Sequence, residues 1–99
     1  MRHIEIALPA GASDGQVVRA VDRAIARAGL NVTLRGTLKK YTGCVHWHVR
    51  NGRESGTLEL TFWPAEQRAW FTVQNGRTAD WIEEGMHRIR RAIRSLAES

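Results

Sequence analysis

Apolar residues recur along this chain with two periods, and each change of period marks an element. In "HIEIALP", Ile4, Ile6 and Leu8 alternate with His3, Glu5 and Ala7 before Pro9, which predicts a short strand with one buried side. "SDGQVVRAVDRAIARAGL" shifts to helical spacing: Val17, Val18, Val21, Ala24, Ile25 and Ala28 form a stripe. Ser13 and Gln16 stand at capping-box spacing before it, and Gly29 supplies a left-handed stop after it. Arg19, Arg23 and Arg27 lie opposite the stripe with Asp22 among them, so that side is expected to face outward.

From Asn31 to Gln74 the period is two again, broken by turn residues at Thr42-Gly43, "NGRESG" and "PAEQ". Four strands are predicted, over about 31–41, 44–50, 57–63 and 68–74. Matching apolar residues across each hairpin sets Leu38 against Trp47, Trp47 against Leu60 and Leu60 against Phe71, since a one-residue slip would turn a core row outward. "TADWIEEGMHRIRRAIRSLAES" closes the chain as a helix, with Asp80 and Glu83 at capping-box spacing and Ile82, Met86, Ile89, Ile93 and Leu96 as its buried stripe. Trp81 is placed at the edge of that helix.

The order β-α-β-β-β-β-α makes one α+β domain over residues 1–99, an antiparallel five-stranded sheet with two helices on one face. Over nearly the whole chain this order resembles one half of the TATA-box-binding protein saddle, and also a shortened helix-grip fold. The resemblance lies in topology, without a shared sequence motif, and implies a sheet order of 2-3-4-5-1. In the TATA-binding family the uncovered sheet face lies on DNA, which directs attention to the same face here.

That face reads as Thr33, Arg35, Thr37, Lys39, Tyr41, Cys44, His46, His48, Arg50, Glu59, Thr61, Trp63, Arg68, Trp70, Thr72 and Gln74. The hairpin register sorts most of them into rows: Tyr41, Cys44, Trp63, Arg68; Lys39, His46, Thr61, Trp70; Thr37, His48, Glu59, Thr72. Threonines and charges suit a wet sheet. Two tryptophans and a tyrosine exceed what such a sheet needs, since each ring has on the order of 150–250 Å² to bury. Cross-strand pairing of these rings over Thr61 and arginine stems would account for them without a ligand; a binding surface would also do so.

Composition sharpens the second reading. The 99 residues carry a formal charge of +5, with thirteen arginines against two lysines, a balance that favours acidic partners but also follows from genomic base composition alone. One cysteine excludes a disulfide framework and a Cys-rich zinc site. "MRHIEIALPAGAS" lacks the apolar run of a signal peptide, no stretch approaches a membrane span, and the cytoplasm is the expected compartment. The expected binding residues are therefore Arg35, Lys39, Tyr41, His46, His48, Arg50, Trp63 and Trp70, with rings stacking bases and cations meeting phosphate, as single-stranded nucleic acid requires. There is no RNP1 octamer, and Asp80, Glu83 and Glu84 at the start of the second helix argue against a double-stranded RNA domain.

The alternative is an acidic protein partner or a homodimer, through a sheet edge or the aromatic face. A metal site is a further reading: His46 and His48 point the same way about 6.6 Å apart along a strand, and Cys44 or Glu59 could add a ligand. Against it, Lys39 is expected beside His46, and His48 is expected simply to pair with Glu59, so no metal and no cofactor is expected. Nor is catalysis: no G-x-S-x-G, Walker or HExxH pattern is present. Of the rings, Trp47 is read as core, its loss costing about 3–5 kcal/mol, and Trp70 as removable without unfolding.

Overall fold

The computed structural model describes residues 1–98. Its elements are β1 (Arg2–Ile6), α1 (Asp14–Arg27), β2 (Asn31–Gly36), β3 (Val45–Arg50), β4 (Leu58–Trp63), β5 (Arg68–Val73) and α2 (Asp80–Arg94). The five strands form one antiparallel sheet in the order β1-β5-β4-β3-β2, which is the expected order read from the other edge. Among the described residues no helix is long and apolar enough to cross a membrane.

The core lies between the sheet and the two helices. Trp47, Val49, Leu58, Leu60, Phe62, Ala69, Phe71 and Val73 face Val17, Val21 and Ile25 of α1 and Ile82, Met86, Ile89 and Ile93 of α2. In the middle of the sheet the register is the expected one: Trp47 opposes Leu60, Leu60 opposes Phe71, and Ile4 of β1 extends the row. Ser13 and Gln16 cap α1 reciprocally, and Gly29 sits at φ +72° just beyond its end. At α2 the expected cap is displaced by one residue: Ala79 occupies the N-cap without a side-chain bond, and Asp80 is the first helical residue, where its charge still suits the positive helix end.

Two departures reshape the β2 side. A bulge between Val32 and Leu34 reverses the facing of the rest of β2, so Leu34 opposes His48 and Arg35 opposes Trp47. Arg35 therefore lies on the helix side, not on the uncovered face, with its guanidinium 5.6 Å from the Trp47 ring centre and 3.2 Å from Asp22 Oδ2. Leu34 goes the other way and is 49% exposed. The inward-facing cation meets a charge the helical spacing had placed outside: Asp22 of α1 turns to the sheet and accepts a 2.8 Å hydrogen bond from the Trp47 indole N–H. A buried indole needs such an acceptor, and Arg35 pairs with the other oxygen of the same, partly solvated carboxylate.

Secondly, β2 stops at Gly36 rather than near residue 41. Residues 37–44 fold as successive turns, with Tyr41 N–H donating to Leu38 O and Cys44 N–H to Tyr41 O. Gly43 takes φ +82°, a conformation open to glycine at little cost. Leu38, expected against Trp47, instead lies half-buried in this segment, its N–H 3.3 Å from Cys44 Sγ.

Candidate metal centre

The 37–44 segment closes over one end of the sheet face that the helices leave free. Tyr41 packs edge-on against Trp63 and Trp70, with ring centres 5.0 and 4.9 Å away, and Trp63 donates its indole N–H to Thr42 O at 3.1 Å. From the far side, His3 stacks on Trp70 at 5.6 Å and the Arg68 guanidinium lies 4.8 Å from its ring centre. Glu5 holds both neighbours, pairing with His3 and accepting a 2.8 Å bond from Arg68. That pairing with Arg68 also holds the Glu5 carboxyl below its usual range. Trp70 is consequently only 4% exposed. The ring points away from Trp47, as its position in the strand requires, yet it is buried, so the expectation that it could be deleted freely is corrected: neighbours on three elements cover it. Cys44, at the end of the same segment, is buried rather than displayed.

Beyond this aromatic cluster, the next residues on the face converge. His46 and His48 project from β3 and Glu59 from β4, in the cross-strand rows His46–Thr61–Trp70 and His48–Glu59–Thr72. His46 Nε2 is 3.3 Å from Glu59 Oε1, His48 Nε2 is 3.5 Å from the same oxygen, and the two Nε2 atoms are 3.1 Å apart. Three electron-pair donors thus surround one point. His46 is 5% exposed, while His48 and Glu59 are partly accessible.

Two of these three groups are held from behind. His46 Nδ1 lies 2.8 Å from the hydroxyl of buried Thr61; in the tautomer with Nδ1–H donating there, Nε2 keeps its lone pair for the centre. Glu59 accepts a 3.3 Å bond on its other oxygen, Oε2, from the Gln74 amide, leaving Oε1 directed inward. Lys39, expected beside His46, is not there: Gly36 occupies the opposing position and Lys39 is exposed in the turn segment. Cys44, the other third-ligand candidate, receives the Leu38 N–H, so Glu59 is the residue that completes the group.

Burial first, and the neighbouring His48 charge second, hold His46 below the ordinary imidazole range of about 6.5, against the opposing pull of Glu59. Unfolded His46 therefore takes up a proton at a pH where the folded residue resists it. The stabilisation due to its neutral form is complete above about 6.5 and is lost as pH falls through the lower folded value. We expect the metal-free chain to lose stability to urea as pH falls from neutral to about 5.5, and His46→Gln to flatten that limb; equal slopes in both proteins would contradict the assignment.

The eight residues expected to bind are thus divided. His46 and His48 meet at the centre; Tyr41, Trp63 and Trp70 form the adjoining cluster. Arg50 donates to the Glu54 carbonyl at 3.0 Å, Lys39 is exposed, and Arg35 is on the other face. Glu59 was visible as a neighbour of His48, whereas Gln74 was only one more polar residue of the face. His3 and Glu5 were missed as members of that face, although the alternation in β1 had already set them opposite Ile4 and Ile6. No known protein family, curated protein or solved structure matches this chain.

Proposed function

We propose that this protein binds a divalent transition-metal ion through His46 Nε2, His48 Nε2 and Glu59 Oε1. The observation that carries the reading is the 3.1–3.5 Å spacing of those three atoms. Ligands about 2.1 Å from a zinc ion lie about 3.4 Å apart in a tetrahedron and about 3.0 Å apart when cis in an octahedron. With both Nε2 atoms unprotonated, two imidazole lone pairs and a carboxylate so close repel one another, and a cation between them turns that repulsion into ligation. Burial makes a proton on His46 unfavourable, which leaves a neutral imidazole, the form that ligates metal.

Two nitrogens and one oxygen suit zinc first, and three protein ligands leave a fourth position for water or an added ligand. Iron(II) accepts the same two-histidine, one-carboxylate set. Thr61 and Gln74 supply the supporting hydrogen bonds such a centre needs. Stacking of nucleic-acid bases on this face has less to work with: Trp70 is closed off, Tyr41 and Trp63 are half-buried against each other, and Arg35 is turned away.

Calorimetric titration of the metal-free chain with zinc, followed by cobalt(II) substitution, tests the proposal. One ion per chain is expected, with a cobalt spectrum showing nitrogen and oxygen ligation, and both signals should weaken in Glu59→Gln. Absence of stoichiometric binding, or binding indifferent to Glu59→Gln, rejects it.

A further inference from the structure

On the opposite side of the molecule, α1 and α2 border a cleft of about 490 Å³ whose chemistry differs from that of the sheet face. Its floor is apolar and shallow, made by Ala20, Ala24, Ala92 and Leu96. Its rim carries Arg23 and Arg27 from α1 and Arg88 and Arg91 from α2. One acid stands among them, Glu84, and it is spent on Arg88 at 3.0 Å. Arg23, Arg27 and Arg91 take part in none of the ion pairs among the described residues.

We propose that this cleft docks an acidic amphipathic helix of a partner protein. Alanines on the floor let another helix approach closely, and its apolar stripe would bury against them and Leu96. Arginines on both rims then meet carboxylates flanking that stripe; Arg23 and Arg27, four residues apart, stand about 6 Å apart along their axis, which is also the spacing of acids one turn apart on a docked helix. The apolar floor decides between the two anionic partners that a basic surface attracts. A phosphate backbone would meet the arginines yet leave alanine and leucine without an apolar surface to cover, whereas an amphipathic helix satisfies both.

The inference stands apart from the metal centre, which serves as its control. The probe is a fluorescent synthetic peptide of about 18 residues, long enough for five helical turns, with leucines along one face and glutamates on its flanks. A lysine-for-glutamate version and an oligodeoxythymidine of similar charge accompany it. In anisotropy titrations at low salt the glutamate peptide should bind, the lysine peptide should not, and added salt should weaken the complex. The double variant Arg23→Glu, Arg91→Glu should lose about tenfold or more in affinity, with circular dichroism and zinc stoichiometry unchanged. No binding of the glutamate peptide, binding indifferent to the double variant, or tighter arginine-dependent binding of the oligonucleotide would each overturn the proposal.

Discussion

Trp70→Ala is expected to cost this domain about 3–5 kcal/mol, the range for deleting a large buried ring, measured as a shift in the urea midpoint. The reason is the number of neighbours left without a partner. Tyr41 packs on the ring from the turn segment, His3 from β1, and Arg68 from the same strand one position away on the pleat. Removing it opens a cavity at the junction of all three. Domains of this size have about 5–15 kcal/mol in all, so the variant should stand near its limit of stability. Trp63→Ala makes the useful contrast, because that ring is half-buried and its indole bond to Thr42 O ties down only the turns. A Trp70→Ala midpoint within error of the parent chain would show that the cluster is not structural.

If the proposed centre binds zinc, His46→Ala should lower zinc affinity by more than a hundredfold, since loss of a supporting hydrogen bond alone costs about 10–100-fold and this change would delete one of the three proposed ligands. Thr61→Val separates the two effects. It keeps the shape of the side chain and removes the oxygen 2.8 Å from Nδ1, so the imidazole remains but its tautomer is no longer fixed. An affinity loss of about tenfold is expected there, with the stoichiometry preserved. If His46→Ala and the parent chain bind alike, the ion sits elsewhere and His46 is merely a satisfied member of the sheet.

Much of the architecture was legible because the middle of the sheet obeys one strong rule. Trp47, Leu60 and Phe71 are large, apolar and fixed in parity by short hairpins, so only one alignment of β3, β4 and β5 buries them all. The pairing of His48 with Glu59 follows from that alignment. The parity of β2 was not legible, because a bulge adds a residue without leaving a glycine or proline as its sign. Leu34 looks like core in the sequence and is half-exposed; Arg35 looks like surface and stacks over Trp47. Nor could spacing show that Asp22 leaves the arginine side of α1 to take an indole proton, since the demand for that acceptor comes from a strand 25 residues away. The turn segment was hidden for a related reason: Leu38, Lys39, Lys40 and Tyr41 continue an acceptable strand pattern, while the contacts that hold the segment off the ladder, Tyr41 on Trp63 and Trp70 and the Trp63 indole on Thr42 O, come from distant strands.

The kink in β2 has its own effect at the margin of the sheet. A flat outer strand offers a regular row of amide hydrogens and carbonyls on which another chain can be templated, the first step towards fibrils. Here the row is broken between Val32 and Leu34, and the next residue turns its long cation inwards. A recruited strand would have to straighten that irregularity before it could extend the ladder, so this margin resists runaway polymerisation even though valine and leucine are displayed on it.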